Sequence, residues 1–270
     1  AMRLGIEAGP DTIEAAVGLG IGGVPIGAEQ LVRDGVDASL APLRRRGLAV
    51  CQIGAFGFNP LAVDRAQQEI LERAIPLAAA TGCPYIVING GNYHPSGFGA
   101  TDARNFSAAA LDEVARVLAP LVALAARHGA RLSVEPYLKT AIWSPERFLA
   151  LHALVGADAL VANVDVTSLY DFWDLVDPAA KARHVCQAFA GHYGLVHLKE
   201  VALAEGFHIH AGLAPLGTGA TAWSEVLRLT APHLPADGWA ILEHVSSLDE
   251  ARRSVELLRS AAAEAGVTLR

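Results

Sequence analysis

The sequence predicts a single (β/α)8 barrel spanning 1–270. Three observations carry that reading. Short apolar runs alternate with longer segments of helical period from one end of the chain to the other, the pattern of a parallel sheet covered by helices. The alternation gives eight units in 270 residues, close to the roughly 250 that one such barrel takes. No GxGxxG or GxxxxGKS/T turn follows an early strand, so the open doubly wound sheet lacks its usual phosphate-binding signature.

Each element has its own justification. Leu4-Gly5-Ile6 reads as the first strand, and Thr12 to Leu19 as a short first helix. Gly23-Val24-Pro25-Ile26 is a weaker second strand, because proline cannot donate to a ladder. Ala38 to Arg46 has helical period, and Gly47 stops it as a C-terminal glycine does. Leu48 to Ile53 is the third strand. Leu61 to Thr81 is one long helix in which Pro76 should produce a kink or break. Gly82 closes it, and Tyr85 to Asn89 is the fourth strand. Asn105 to His128 carries an apolar stripe of Leu111, Val114, Leu118, Leu121, Val122 and Ala125, stopped by Gly129. Leu132 to Glu135 is the fifth strand. Ser144-Pro145-Glu146 is a helix start, with serine as cap and proline in the first turn, and that helix runs to Val155. Val161 to Asp165 is the sixth strand. Pro178 opens another helix, whose end is read at Gly194, before the strand Leu195-Val196-His197. A loop then passes through Pro215-Leu216-Gly217-Thr218-Gly219. Ala222 to Leu229 is helical, Ala240 to Glu243 is the eighth strand, and Leu248 to Ala265 is the final helix.

Bulk properties narrow the function. An apolar fraction of 52% with 18% charged residues belongs to a globular chain. A formal net charge of -7 argues against nucleic acid as a partner, which needs a basic stripe. Cys51, Cys83 and Cys186 are far apart and odd in number, so a disulfide framework or zinc knuckle is not expected and a reducing compartment is favoured. No signal-peptide pattern opens the chain, and Ala1 ahead of Met2 reads as an expression remnant. The longest apolar stretch, Val117 to Ala126, contains Pro120 and is too short for a bilayer. The expectation is a soluble cytoplasmic protein with no membrane partner; a homo-oligomer is compatible with it.

Four strand ends carry the chemistry. Glu135, Asp165, His197 and Glu243 each close a short apolar run. One buried charge is costly unless paired or metal-bound. A single such residue is more often a cap or a salt-bridge partner. Four in successive units are expected to meet, because the C-terminal ends of barrel strands open on one face. Three carboxylates and an imidazole suit a divalent cation that prefers oxygen ligands.

Several segments resemble a known family. They are Ser133-Val134-Glu135-Pro136, Asn163-Val164-Asp165, Val196-His197-Leu198-Lys199-Glu200, Pro215-Leu216-Gly217-Thr218-Gly219 and Gly238-Trp239-Ala240-Ile241-Leu242-Glu243-His244, with the Thr81-Gly82-Cys83-Pro84 turn. In that order they resemble the xylose isomerase-like TIM-barrel superfamily of sugar and sugar-phosphate isomerases and epimerases. The resemblance implies that Glu135, Asp165, His197 and Glu243 hold one divalent ion, Mn²⁺ first, with Mg²⁺, Co²⁺ or Zn²⁺ as alternatives. Three places depart from the family pattern. Ser168 stands where many members have the histidine of Asp-x-x-His, Lys199-Glu200 replaces Lys-Asp, and Gly217-Thr218-Gly219 lacks an acidic residue between its glycines.

Other candidates surround this set. His94, in the glycine-rich loop Asn89 to Gly97, is a candidate contact for a substrate hydroxyl or a proton donor. Lys199 follows His197 by two residues and shares its face, where it can bind a substrate oxygen or pair with Glu200 or Glu135. Glu200, His210 and Trp143 complete the expected substrate contacts. Phe56, Phe58, Tyr137 and Trp173 lie in strand-end loops, with walling a sugar pocket and core packing as competing roles.

The expected activity is isomerisation or epimerisation of a ketose or related hydroxy-carbonyl sugar through an enediolate. Glu135 and Glu243 would be the acid–base pair. A metal-dependent lyase or dehydratase on an inosose- or keto-sugar-like substrate begins with the same proton abstraction and is the alternative. An abasic-site endonuclease is disfavoured by Ser168 and by the acidic balance.

Overall fold

The computed structural model describes residues 1–270. Ten strands and eight α-helices alternate along the chain. The strands are β1 (Leu4–Ile6), β2 (Gly23–Gly27), β3 (Ala49–Gly54), β4 (Tyr85–Asn89), β5 (Arg131–Glu135), β6 (Leu160–Val164), β7 (Tyr193–Leu198), β8 (Glu200–Leu203), β9 (Ala211–Ala214) and β10 (Ala240–Leu242). The helices are α1 (Thr12–Leu19), α2 (Ala28–Arg44), α3 (Arg65–Ala78), α4 (Ala108–Arg127), α5 (Pro145–Val155), α6 (Ala179–Ala188), α7 (Trp223–Thr230) and α8 (Leu248–Glu264). Eight strands close a barrel in the order β1-β10-β7-β6-β5-β4-β3-β2, with every neighbouring pair parallel. The predicted (β/α)8 barrel is therefore the fold. No helix is long and apolar enough to cross a membrane.

Local chemistry sets the elements. Asp64 caps α3 by accepting from the Ala66 and Gln67 amides, Ser107 caps α4 through Ala110, and Ser144 caps α5 through Arg147. The α4 stripe of Leu111, Val114, Leu118, Leu121, Val122 and Ala125 is buried. Hydrophobic burial of such stripes against the barrel is the main stabilising term. At the base of the barrel the last residues pair with the first: the Met2 amide donates to Thr268 O and the Leu4 amide to Arg270 O.

The barrel is not uniformly sewn. β4 and β5 share five register pairs, whereas β1 and β2 share only Gly5↔Gly23. Gly23 is needed there because a Cβ would lie 2.6 Å from the Trp239 ring and 2.9 Å from Cys51 Cβ. Past this single pair the C-terminal ends of β1 and β2 separate, leaving a seam.

The structure corrects several boundaries. α2 consists of two helical segments, one from Ala28 and one that starts just after Gly35, two to three residues before the predicted Ala38; they meet at a kink where Gly35 takes φ 77°, ψ 171°, which only glycine adopts easily. Pro76 neither ends nor breaks α3, which runs on to Ala78 before a 3-10 turn over Ala79–Thr81. Gly194 does not end α6: that helix stops at Ala188, and Gly194 lies inside β7. A Cβ on Gly194 would stand 2.5 Å from Val161 Cγ2 and 3.1 Å from the Tyr85 ring, so it is a close-packing glycine. The segment read as a plain loop after His197 contains an antiparallel hairpin, β8–β9, paired from Glu200↔Ala214 to Leu203↔Ala211.

Candidate active site and metal centre

Glu135 closes β5, Asp165 and Glu243 directly follow β6 and β10, and His197 is the penultimate residue of β7. These strands are neighbours in the order β5, β6, β7, β10. One ligand atom from each of the four side chains lies within 4.8 Å of all the others, and all four residues are buried. The convergence read from the sequence is therefore present, with Glu135 and Glu243 at the two ends of the arc.

Neighbouring groups fix the four. Asp165 Oδ1 accepts from the Thr167 amide (2.9 Å), the Thr167 hydroxyl (2.8 Å) and the Ser168 amide (3.2 Å). The Ser168 hydroxyl donates to Asp165 Oδ2 at 3.2 Å, so the residue standing in place of the family histidine orients a carboxylate. Asn163 Nδ2 donates to Glu135 at 3.4 Å. His197 Nε2 lies 2.7 Å from Gln52 Oε1, an acceptor, which requires Nε2 to carry a proton. The other nitrogen, Nδ1, is buried 3.0 Å from Glu243 Oε2 and 3.6 Å from Glu135 Oε2 but hydrogen-bonded to neither. An imidazole nitrogen set among carboxylates, with the opposite nitrogen held by an acceptor, is placed to ligate a metal ion once it gives up its own proton.

Lys199 supplies the second sign of a cation site. Its Nζ lies 2.5 Å from Asp165 Oδ2, 2.8 Å from Glu243 Oε1 and 3.5 Å from Glu135 Oε1, with the side chain almost wholly buried. A tethered ammonium thus lies among the three carboxylates and balances part of their charge. Burial alone would lower the lysine pKa, yet Asp165, Glu243 and Glu135 hold it well above its ordinary value. Burial would raise Glu243, but His197 and Lys199 hold it well below the usual carboxylate range. Glu135 is pushed up by burial, a rise that Lys199 and His197 only partly offset. Burial opposes the charge on His197, but Glu243 and Glu135 outweigh it and raise the imidazole to about 9. The donor set and the position of His197 Nδ1 fit a divalent ion held by Glu135, Asp165, His197 and Glu243.

A cleft of about 640 Å³ opens onto this cluster, lined by Glu135, Lys199 and Glu243 and walled by Phe56, Phe98 and Tyr137. That is the size of an ordinary small-molecule site, roughly 300–1,000 Å³. The hairpin adds Val201 and Ala211 to Leu213 to its wall. His244, at the edge of the cleft, is the one non-glycine residue with positive φ, at 57°.

The remaining sequence candidates separate. Lys199 joins the cluster. Phe56 and Tyr137 line the cleft, whereas Phe58 is buried in the core and Trp173 is 74% exposed. Glu200 is not in the cleft lining; its carboxylate accepts from Thr221 Oγ1 (2.9 Å), Trp223 Nε1 (3.0 Å) and the Gly217 amide (3.2 Å). Glu200 thereby clamps the segment 217–223 to the start of the hairpin, which is a structural task. His94 is also outside the cleft lining, its Nδ1 bound to Ser96 Oγ at 2.7 Å. Trp143 packs edge-on against Phe106, and His210 is exposed in the hairpin connection; neither lines the cleft.

Two residues were missed. Glu7 follows β1 as Glu135 ends β5, so the same strand-end signal was present, and it lines the cleft. Burial and the charge of Glu243 raise its carboxyl. Gln52 was visible only as one polar residue inside the apolar run Val50 to Ile53.

Solved structures share this architecture. A xylose isomerase-like TIM-barrel protein from Mycobacterium smegmatis, solved with magnesium, is 18% identical, with a TM-score of 0.74 and 98% of each chain covered. A probable 3-DHS dehydratase involved in petrobactin synthesis, from Bacillus anthracis, is 17% identical (TM-score 0.71; 96% of this chain and 99% of that one). A D-psicose 3-epimerase from Clostridium cellulolyticum H10, solved with D-tagatose, is 12% identical (TM-score 0.69; 97% and 99%). Comparison with curated protein sequences gives no match. The family model described as xylose isomerase-like TIM barrel matches residues 6–261, from the last residue of β1 onward, which takes in the other seven barrel strands and every member of the cluster. By that match and by its closed barrel, the chain belongs to the xylose isomerase-like TIM-barrel family.

Proposed function

We propose that the protein is a divalent-metal-dependent isomerase or epimerase of a ketose or related hydroxy-carbonyl sugar. The observation that carries this reading is the buried convergence of Glu135, Asp165, His197 and Glu243 beneath a cleft of sugar-binding size. A divalent ion bound there supplies electrophilic stabilisation of the negative charge that develops on the substrate oxygens. Manganese is the first choice for a site of three carboxylates and one imidazole, and magnesium the second.

The chain's own groups then divide the work. Glu243, which His197 and Lys199 keep ionised, takes the proton from the carbon beside the carbonyl. Glu135, from the other end of the four-strand arc and pushed up by burial, can carry a proton and returns it on the opposite face, which inverts the carbon. Asp165 is held rigid by Thr167 and Ser168, and His197 by Gln52, so both act as fixed ligands. Phe56, Phe98 and Tyr137 provide apolar surface for a sugar ring and limit water in the cleft. The substrate partner is a small sugar, and the acidic chain of net charge -7 is not suited to nucleic acid.

Epimerase and dehydratase neighbours share the fold, so the lyase alternative stays in view. Product mass decides between them, since isomerisation conserves it and dehydration loses water. The test of the mechanism is exchange in D₂O with a panel of ketoses, keto-acids and inosose. Deuterium should enter at the carbon beside the carbonyl, and Glu135→Gln or Glu243→Gln should each slow entry by about 10²-fold or more. Turnover that survives both substitutions without a primary isotope effect rules the mechanism out.

A further inference from the structure

The strand registers extend the site by one carboxylate. β7, β10 and β1 run side by side, with Ile241 paired to His197 on one flank and to Gly5 on the other. Paired residues of parallel strands point to one face, and the face alternates along each strand. Ile241 and Gly5 therefore share the face of His197, the barrel interior, where a Cβ on Gly5 would meet Ile241 Cγ1 at 3.4 Å and Cys51 Sγ at 2.8 Å. Two residues further on, Lys199, Glu243 and Glu7 form the next row. The backbone carries the register that far, since the Glu243 amide donates to Leu198 O (3.1 Å) and the Glu7 amide to Leu242 O (2.8 Å). Glu7 thus enters the mouth beside Glu243, one strand beyond the arc of ligands, and it lines the cleft.

Two members of this row are engaged and the third is not. Lys199 meets Asp165, Glu243 and Glu135, and Glu243 meets Lys199 and His197. The Glu7 carboxyl has no hydrogen-bond partner within the chain, and burial and Glu243 both disfavour its charge. A carboxylate is an acceptor only. It gains from a ligand that donates hydrogen bonds and repels a second anion. No arginine lines the cleft, and its basic side chains are otherwise committed. The charge of Lys199 is taken up by three carboxylates, and His244 Nε2 stands 3.4 Å from Glu243. Lys139 follows β5, four strands from β1 in the ring of eight and so on the opposite side, with its ammonium on Gly99 O at 3.3 Å.

We propose that Glu7 sets the charge selectivity of the site: it accepts hydrogen bonds from hydroxyl groups at the end of the substrate that extends past Glu243, and it rejects a substrate whose end is anionic. The substrate class is then an unphosphorylated sugar, not a sugar phosphate or a sugar acid. Neighbouring strands stand about 4.8 Å apart, less than the length of an extended six-carbon chain, so a hexose held at the ligands reaches Glu7. The assignment rests on the keto-sugar reading of the cleft and adds to it which sugars enter.

The test uses the magnesium-loaded protein, titration calorimetry and three probes: D-fructose, fructose 1-phosphate and fructose 6-phosphate. Both phosphates should bind at least about tenfold more weakly than fructose. Glu7→Gln removes the charge and keeps an acceptor, so it should tighten at least one phosphate and bring its ratio to fructose toward one. Glu7→Met removes acceptor and charge and should weaken fructose about tenfold, the worth of a hydrogen bond to a charged group. A phosphate ester that binds wild type as tightly as fructose, ratios that Glu7→Gln leaves unchanged, or a fructose affinity that Glu7→Met leaves unchanged overturns the assignment. If no ketose binds, the keto-sugar reading fails on its own, and inorganic phosphate decides the role of Glu7. It should then bind the loaded Glu7→Gln protein about tenfold more tightly than the loaded wild type, and equal affinities overturn the proposal.

Discussion

Replacing Lys199 by methionine should tighten metal binding. The ammonium lies 2.5 and 2.8 Å from Asp165 and Glu243 and 3.5 Å from Glu135, in surroundings that exclude water. Removing one partner of a buried ion pair typically costs about 3–5 kcal/mol, because the remaining charge is left uncompensated. That loss falls on the metal-free protein, where Lys199 is the cation among the carboxylates. In the loaded protein the divalent ion takes over that charge. The difference appears as affinity: about 3 kcal/mol corresponds to roughly 10²-fold tighter binding, at about 1.4 kcal/mol per tenfold. It also appears as stability, since a chain of this size loses about 2–4 °C of Tm per kcal/mol, so the metal-free variant should melt roughly 6–20 °C lower. Titration calorimetry with Mn²⁺ and Mg²⁺, and melting curves with chelator and with metal, measure both. The variant's deficit should disappear when metal is added. Unchanged or weaker metal affinity, with a metal-free Tm equal to wild type, would refute the reasoning and place the ion elsewhere.

Three other outcomes follow from particular contacts. Gln52→Leu removes the acceptor for His197 Nε2 and should weaken metal binding about 10–100-fold, whereas Gln52→Glu keeps an acceptor and should restore much of it. The His197 ring ¹⁵N shifts should report the change of tautomer; a leucine variant with wild-type affinity and shifts contradicts this role. Gly194→Ala places a Cβ 2.5 Å from Val161 Cγ2 and should destabilise the fold by about 1–3 kcal/mol, read as a lower Tm; an unchanged Tm means that β7 has room to move. Burial and the neighbouring His152 ring, 4.4 Å away between centroids, depress the pKa of His192. The unfolded chain therefore takes up this proton more readily than the folded one, and stability that is complete above the ordinary histidine value near 6.5 is lost as pH falls below it. His192→Phe should lose less Tm between neutral pH and mild acid than wild type, and parallel slopes would exclude the effect.

The barrel and the core of its site were legible because both repeat. A short apolar strand run recurs in every unit, glycine stops recur in several, and the ligand signal recurs four times, so each instance supports the others. The misreadings fall where a residue acts once. Pro76 looks like a helix breaker, but α3 runs through it, whereas Gly35 does interrupt α2 with a kink. Gly194 has the sequence appearance of a helix stop, and only the crowding of Val161, Tyr85 and Ser133 reveals why no side chain fits. Glu200 sits in a family-like motif, yet its three donors lie 17 to 23 residues further along the chain. Gln52 belongs to no repeat. Its importance comes from its contact with His197, 145 residues away, which no pattern of residue types records.

The hairpin between His197 and Glu243 has a further meaning. Its two strands bond to each other and to no barrel strand, and they join the ring of ligands only at their roots. Val201 and Leu213 nevertheless face the cleft, and the tip carries Phe207 at 98% exposure. The ligand cluster thus stands on the barrel strands, while part of the cleft wall stands on a hairpin outside the barrel's hydrogen-bonding. Exchange of residues 201–213 can retune which molecule enters while every barrel register pair, and the ligand set beneath, is inherited unchanged. The hairpin is therefore the part of the cleft wall that can change its side chains without disturbing a barrel register pair.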